Sequence, residues 1–217
     1  MGRDAQEARD PAAVPTRRDR RRARNRSALL EAARESFRRR GFTGTTVSDI
    51  TERADVAHGT FYSYFPSKDE VFTEIVDAVL HDMLASLHEV GGAASIRQRL
   101  GAGLGSLLRL CEREREIILA LHQASQLRGE YRRKWDGFRE RLRQTVEQDL
   151  GWLHRNGSTR PIRVDLVATV VARMVEGVAL EVITSPETDV DALVATTVDL
   201  YYDAVFRPLT GEDDIAV

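Results

Sequence analysis

The chain has 217 residues, of which 42% are hydrophobic and 30% charged, and its formal net charge is −2. A chain of this size buries roughly 70% of the surface that it exposes when unfolded, which suffices for one or two compact domains. Global disorder, a collagen-like fibre and a disulfide scaffold are therefore excluded. Cys111 is the single cysteine, so no internal disulfide can form, which fits a reducing compartment.

No segment has the pattern of a membrane span or of an export signal. The longest run without a charged side chain, residues 56–67, has twelve residues, fewer than the roughly 18 that a span requires. The first 26 residues are polar and arginine-rich and lack the apolar stretch of a secretory signal. We expect a cytoplasmic protein without a metal or other cofactor, because the five histidines are scattered and no metal-binding motif occurs.

The net charge is small, but the basic and acidic residues are distributed unevenly along the chain. Residues 1–70 have 15 Lys and Arg against 11 Asp and Glu, whereas residues 71–217 have 17 against 23. Between Arg17 and Gly44, 11 arginines face three acidic residues, a balance of +8 over 28 residues. Such a block suits a polyanion such as DNA, although the arginines alone would also fit a solvated tail with no partner.

The pattern along the chain predicts an all-α fold of about nine helices. All six prolines stand where helices can begin or end, at positions 11, 15, 66, 161, 186 and 208. No Asn-Gly or Asp-Gly turn joins two alternating β-branched runs, so strands are not expected. The first helix, residues 17–40, has an apolar stripe and ends at Gly41.

The next two helices are short and precede a long one. Residues 46–49 fit a capping box that opens the second helix. After a turn at Asp55, a third helix over residues 57–64 is expected to hold Phe61 inward, and residues 67–70 fit a second box that opens the fourth helix. Two short helices joined by a tight turn and braced by a first helix form a helix-turn-helix unit, whose second helix can enter a DNA major groove.

The start of the third helix suits an approach to base edges. Its first turn, residues 57–60, consists of small or polar side chains, which allow the backbone amides to come close to DNA. Tyr62 and Tyr64 flank this face with hydroxyls that can fix the register on phosphates. For both tyrosines, packing in the core with the hydroxyl at the rim is the alternative.

Two runs of this region, GFTGTTVSDI at residues 41–50 and ADVAHGTFYSYFPSK at residues 54–68, resemble the DNA-binding domain of TetR-type transcriptional regulators. The resemblance covers about residues 22–82, and the all-helical remainder agrees with the family in length but has no equally diagnostic motif. It implies a homodimeric repressor that a small molecule releases from a palindromic operator.

A domain order and a set of DNA contacts follow from this resemblance and from the arginine block. We expect a disordered tail (1–16), a three-helix DNA-binding domain (17–66) and a helical domain for ligand binding and dimerisation (67–217). By resemblance, phosphates would be held by Thr45, Thr46, Tyr62, Tyr64 and Lys68. His58, Gly59, Thr60 and Ser63 would lie nearest the bases, and Ala57 at the start of the third helix is a further DNA-binding candidate. The arginine block adds Arg17, Arg18 and Arg22.

The recognition region departs from the family pattern at three positions. Asp55 stands where glycine is common in the turn, and Asp tolerates a left-handed backbone. Ala57 replaces a common serine and so lacks a cap, a loss that typically costs ~1 kcal/mol. His58 stands where lysine or arginine is frequent, which weakens attraction to phosphate and favours a base contact.

Five further helices are expected near residues 94–110, 112–127, 130–155, 162–184 and 188–207. The last two are apolar on almost every side, so they require burial beyond the layer of their own subunit. A homodimer through these two helices, as in the family, is the economical interpretation, and a buried monomeric core is the alternative. Two recognition helices about 34 Å apart would then meet successive turns of a palindromic DNA site.

A pocket for a small, largely apolar effector is expected among helices five to eight, where a few polar groups interrupt apolar walls. The candidate lining residues are Leu104, Leu108, Cys111, His122, Gln126, Trp135, Phe138, Met174 and Gly177. Histidine and aromatic residues in such helices are also typical of a filled core.

An enzyme is not expected, because H-E-x-x-H, Walker A, G-x-S-x-G and C-x-x-C motifs are all missing from the chain. The sequence favours a ligand-responsive repressor that binds double-stranded DNA. A ligand-independent architectural DNA-binding protein is the alternative, and a helical enzyme is a more distant one.

Overall fold

The structure, a computed structural model, describes residues 16–88 and 95–206, and over these residues the chain forms nine α-helices and no strand. The all-α prediction is confirmed. Of the predicted disordered tail (1–16), only Thr16 lies among the described residues. In chain order the helices are α1 (Arg17–Arg40), α2 (Val47–Arg53), α3 (His58–Phe61), α4 (Lys68–Ser86), α5 (Ile96–Arg113), α6 (Arg115–Leu127), α7 (Gly129–Arg155), α8 (Val164–Thr184) and α9 (Val190–Val205).

Side-chain caps explain where the first two helices begin. The Thr46 hydroxyl accepts a hydrogen bond from the N–H of Asp49 (3.2 Å), and the Asp49 carboxylate accepts one from the N–H of Thr46 (2.8 Å). The predicted capping box of α2 is therefore present. Thr16 and Asp19 form the same box at the start of α1, which the sequence analysis missed. At α3, Ala57 provides no side-chain cap.

The turn before α3 is left-handed, and α3 itself is shorter than predicted. Asp55 has a φ of 53°, the one positive φ of a non-glycine residue in the described chain, so the aspartate takes the conformation expected of it. α3 spans His58–Phe61 rather than residues 57–64. Directly after α3 the backbone forms a 3₁₀-type turn, in which the N–H of Tyr64 donates to the carbonyl of Phe61 (2.9 Å).

One apolar core joins the three N-terminal helices to α4. Leu29 and Phe37 of α1, Ile50 of α2 and Phe61 of α3 have no solvent exposure. The Phe37 ring meets Phe72 of α4 edge-on, with centroids 5.5 Å apart. Each such burial contributes roughly 1.5–3 kcal/mol. Because α2 and α3 are too short to persist alone, this packing holds them in place.

The remaining helices continue this core. α7 packs on α6 and α8, and α5 packs on α8 and α9. The inward stripe of α7 is buried at Tyr131, Trp135, Phe138, Leu142 and Leu150. The outer faces of α8 and α9 still expose Leu166, Val170 and Leu200, each by more than half of its surface. Among the described helices, none is both long and apolar enough to cross a membrane.

Candidate functional site

The outer side of α3 and its flanks form the first candidate site, which we call the recognition face. Phe61 anchors the inner side with no solvent exposure. The recognition face lies on the opposite side and comprises Ala57, His58, Gly59, Thr60, Tyr62 and Ser63. All of these residues are exposed except Thr60, which is half-buried, and Tyr62 is 55% exposed.

The side chains of the recognition face are small or polar. A Cβ at Gly59 would meet no atom within 4 Å, and its lack of a side chain lets a surface approach the backbone. The His58 and Tyr62 rings lie with centroids 5.7 Å apart, so an imidazole and a phenol hydroxyl are offered side by side. Tyr64 differs from Tyr62, because it is half-buried and packs against the core.

Two predicted phosphate ligands are used inside the protein instead. Thr45 is 1% exposed, and its hydroxyl lies within hydrogen-bonding distance of the carbonyls of Gly41 (2.8 Å) and Ser36 (3.1 Å). The Lys68 ammonium donates to the carbonyls of Phe42 (2.7 Å) and Thr45 (2.6 Å). Its nitrogen lies 4.3 Å from the centre of the Phe42 ring, and burial lowers the Lys68 pKa. These side chains stabilise the loop between α1 and α2. The single hydroxyl proton of Thr45 is engaged there, whereas Lys68 has a third N–H beyond the two that it donates to carbonyls.

Thr46 and the arginine block remain on the surface. Thr46 is exposed, although its hydroxyl is engaged with Asp49 at the helix cap. The first fully buried residue of α1 is Leu29, and Arg26 before it already pairs with Glu74 of α4 (2.5 Å). The twelve residues before Leu29 extend over about 18 Å at the helical rise of 1.5 Å per residue. Within the described part of the chain, no ion pair involves Arg17, Arg18 or Arg22.

A cavity of about 460 Å³ opens between α5, α7, α8 and α9, beside the C-terminal end of α4. This volume lies in the range of small-molecule sites. Of the predicted pocket residues, Leu104 and Met174 line it. Its other apolar walls include Leu87, Leu100, Val146, Leu150, Val171 and Val198, and the polar groups among them are His88, Arg99, Thr145, Asp149, Thr197 and Tyr201.

Uncharged hydroxyls supply much of the polarity deep in this cavity. Thr197 and Tyr201 stand one turn apart on α9, and Thr197 is 5% exposed. Burial, with a smaller effect of nearby Asp149, raises the pKa of Tyr201 to about 12, so its hydroxyl keeps its proton at neutral pH. The Asp149 carboxylate lies 3.5 Å from Nε2 of His88 in a more exposed position. The cavity therefore combines apolar walls and two buried or half-buried neutral hydroxyls with the charged side chains of Arg99 and Asp149, which are exposed.

The structure does not bring the other predicted pocket residues to this cavity. Leu108 and Cys111 have no solvent exposure and lie in the core, where burial raises the pKa of the Cys111 thiol to about 12. Gln126 and Gly177 are exposed on the outer surfaces of α6 and α8. The prediction of these four residues is corrected, because two pack fully against other side chains and two face away.

Trp135 and Phe138 line a separate cavity of about 10 Å³, which has room for no more than a single water. The His122 ring meets Trp135 at a centroid distance of 5.5 Å, and the Trp135 and Phe138 rings lie 5.6 Å apart. Aromatic packing thus fills the interior between α6 and α7, where the sequence analysis had expected part of the pocket. The three rings pack together in the interior, although Nδ1 of His122 and Nε1 of Trp135 are buried there without a hydrogen-bond partner among the described residues.

Several lining residues, chiefly on α9 and at the start of α5, are absent from the predicted set. The predicted pocket comprises helices five to eight and therefore omits Thr197 and Tyr201 of α9. Their spacing of four residues on one helix face was the available signal. Leu100 was missed in the same way, although it stands one turn before Leu104 on α5.

The sequence is similar to those of known bacterial transcriptional regulators. The family model described as bacterial regulatory proteins, tetR family, matches residues 29–75, which contain α2, α3 and the recognition face. The chain is 30% identical over 189 residues to the HTH-type transcriptional regulator TcmR of Streptomyces glaucescens, covering 82% of each protein. It is 23% identical over 189 residues to YfiR of Bacillus subtilis, an uncharacterized HTH-type transcriptional regulator, covering 82% of this chain and 90% of YfiR.

Solved structures share the fold. A putative TetR-family regulator from Mesorhizobium loti superposes with a TM-score of 0.69 at 17% identity, covering 86% of this chain and 99% of that one. SmeT in complex with triclosan superposes with a TM-score of 0.68 at 21% identity, covering 89% and 99%. Together with the sequence matches, these findings confirm the prediction of a regulator rather than an enzyme. The chain belongs to the tetR family of bacterial regulatory proteins and is a transcriptional regulator.

Proposed function

We propose that the chain is a homodimeric repressor that binds a palindromic operator and is released when a small, largely apolar effector occupies the 460 Å³ cavity. The observation that carries the proposal is the recognition face, a row of small and polar groups exposed on a helix that fully buried Phe61 fixes to the core. A helix presented in this way suits the major groove.

The residues divide into phosphate and base contacts. We infer that Tyr62, Thr46 and the projecting arginines hold phosphates, whereas His58, Gly59, Thr60 and Ser63 meet base edges. The accompanying division of the chain assigns residues 17–66 to DNA binding and residues 67–217 to the effector and the dimer. Replacing Arg17, Arg18 and Arg22 by alanine is expected to lower the salt dependence of binding, by a slope of roughly 0.9 for each lost phosphate contact.

Dimerisation is supported by the outer faces of α8 and α9. Val170 is 66% exposed, Leu200 is 65% exposed, and Leu166 stands one turn before Val170. Large apolar side chains clustered on two adjacent helices indicate a protein interface. A second copy with the same face would cover them in an isologous contact. Val170→Asp would then yield monomers in sedimentation experiments, while Arg141→Ala at an exposed position of α7 would not.

The effector class follows from the cavity walls. Apolar side chains dominate the lining, and the charged Arg99 and Asp149 are exposed, so transferring a charged group to the buried part of the cavity would be unfavourable. The hydroxyls of Thr197 and Tyr201 offer neutral hydrogen bonds instead. SmeT, which shares the fold, binds triclosan in its solved complex. We therefore infer an uncharged, mainly apolar effector with one or two hydrogen-bonding groups.

Selection from random duplexes with the full-length chain tests the DNA proposal. We expect a palindrome whose half-sites are centred about one helical turn apart, because the dimer presents two recognition faces. Equal and weak affinity for every duplex would refute it. A selected palindrome that no uncharged apolar compound releases would instead favour the architectural alternative.

A further inference from the structure

Glu114 is a charged side chain with no solvent exposure at the junction of α5 and α6. Its carboxylate lies between two arginines that α1 supplies. Arg34 donates through Nη2 to Oε1 (2.9 Å) and through Nε to Oε2 (3.4 Å). Arg38 donates through Nε to Oε2 (3.0 Å) and through Nη2 to Oε1. Two guanidinium forks therefore hold one carboxylate.

The charges at this junction depend on one another. Burial raises the pKa of Glu114, but the hydrogen bonds and charges of Arg38 and Arg34 outweigh it, and the net pKa lies below its ordinary value. The carboxylate is thus ionised at neutral pH. Arg113 of α5 also lies 3.8 Å from this carboxylate, and Arg34 and Arg38 have second carboxylates at 3.7 Å (Asp82) and 3.8 Å (Glu35), so Glu114 is the buried group that the cluster shares. Removing Glu114 would take away the carboxylate that joins α1 to this junction. α1 cannot shift relative to the α5–α6 junction without disturbing these bonds.

One rigid element connects this junction to the cavity. Leu100, Gly103 and Leu104 of α5 line the cavity, and Glu114 directly follows the last residue of the same helix. From Leu104 to Glu114 the helix covers about 15 Å. The fit at the cavity end is tight, because a Cβ on Gly103 would lie 2.4 Å from the carbonyl oxygen of Leu87 at the end of α4. An occupant that presses on α5 is therefore expected to displace the helix as a body.

We propose that Glu114 is the positioning residue through which the cavity acts on the DNA-binding unit. An occupant shifts α5, the carboxylate moves against Arg34 and Arg38, and α1 carries the recognition face to a new orientation. This inference rests on the proposed function, since it explains how the cavity would control operator affinity.

The chain contains a matched control. Glu176 is also a buried carboxylate held by two arginines, with Arg139 Nε at 2.5 Å and Arg173 Nη1 at 2.8 Å. All three residues lie on α7 and α8, so this cluster makes no bridge to α1. Glu176→Gln removes the same kind of charge as Glu114→Gln without interrupting the proposed connection.

A cavity-filling substitution, Leu100→Trp, can serve as the occupant in a double-mutant cycle. The probe is the duplex selected by the full-length chain, and its affinity is measured by fluorescence anisotropy. We expect Leu100→Trp and Glu114→Gln each to weaken binding about tenfold, within the usual range of couplings between sites. Together they should also weaken it about tenfold, because both act on one connection. Glu176→Gln should leave affinity unchanged and preserve the full effect of Leu100→Trp.

The outcomes separate the two proposals. Independent effects of distant residues multiply, so a loss of about a hundredfold in the Leu100→Trp, Glu114→Gln double variant would overturn the role of Glu114 while leaving the proposed function intact. Unchanged affinity in Leu100→Trp would overturn control by the cavity, and the inference with it. Affinities are normalised to the active fraction from stoichiometric titration, so partial unfolding does not imitate the result.

A second variant keeps the charge at this junction. Arg38→Lys retains a cation beside Glu114 but loses the two-nitrogen fork, so it perturbs the geometry with little change in charge balance. If the geometry transmits the signal, the loss of DNA affinity in the Arg38→Lys, Leu100→Trp double variant should be smaller than the product of the two single losses. A full product would contradict the proposal.

Discussion

The recognition face and the cavity differ in how the chain builds them. The recognition face comes from one segment, Ala57 to Ser63, and a single buried side chain, Phe61, sets its orientation. The cavity is lined by residues from four helices, α5, α7, α8 and α9, together with Leu87 and His88 just beyond the end of α4. One site is therefore local in sequence and depends on one anchor, whereas the other depends on how distant helices are spaced.

This difference predicts unequal responses to substitution. Loss of the anchor should displace the whole recognition face at once, because α3 has only four residues and no side-chain cap. Loss of one cavity wall should leave the other walls in place. Substitutions in the two regions therefore measure whether the contrast is real.

Phe61→Ala is expected to have the largest effect. Deleting a fully buried phenylalanine typically costs 3–5 kcal/mol, and here it also removes the contacts of Phe61 with Tyr62 and Phe65. We expect the free energy of unfolding to fall by about that amount and specific DNA binding to be lost. Urea denaturation and binding to the selected duplex measure the two effects. Wild-type affinity in this variant would show that Phe61 is not the anchor.

Leu104→Ala should have a smaller effect, confined to stability and effector binding. Leu104 already borders open space, so its removal enlarges the cavity rather than creating one, and we expect a cost of about 2 kcal/mol, the low end for such changes. Operator affinity per folded molecule should stay within twofold of wild type. A loss of affinity comparable to that of Phe61→Ala would erase the distinction between the two regions.

Local signals explain why the recognition face could be predicted from the sequence. The cap of α2 needs two residues three positions apart, Thr46 and Asp49, and the structure contains it. The left-handed turn needs one residue that tolerates a positive φ, and Asp55 adopts it. The inward position of Phe61 follows from helical spacing. Each of these features is decided within a few residues of the chain.

Long-range packing explains what could not be predicted. Lys68 bonds to carbonyls of Phe42 and Thr45, more than 20 positions earlier, and no local pattern reveals these partners. The cavity lies where α9 meets α5 and α7, and aromatic side chains such as Trp135 fill the space predicted for it. Helix faces can be derived from periodicity, but which faces remain apart after packing depends on side-chain volumes across the whole core.

Lys68→Met tests whether this lysine belongs to the protein interior or to the DNA interface. In the structure its ammonium satisfies two carbonyls of the α1–α2 loop. Leaving them unpaired is expected to cost about 1–2 kcal/mol of unfolding free energy. The salt slope of DNA binding should stay the same, because no phosphate contact is lost. A slope lowered by about one, with unchanged stability, would return Lys68 to the phosphate role implied by the family resemblance.

Tyr62→Phe and His58→Ala give the smallest changes and separate functions within the recognition face. Tyr62 is exposed, and removing one hydroxyl should weaken binding by roughly 0.5–1.5 kcal/mol, evenly across operator variants, because a phosphate contact is insensitive to base identity. His58→Ala should instead alter the preference at one base-pair position, since an imidazole at the groove contacts a base edge. Affinities for a set of single-base operator variants distinguish the two patterns. If both substitutions changed the affinities for these operator variants in the same pattern, phosphate and base contacts would not be divided between Tyr62 and His58. The residues of the recognition face would then contribute jointly to both kinds of contact.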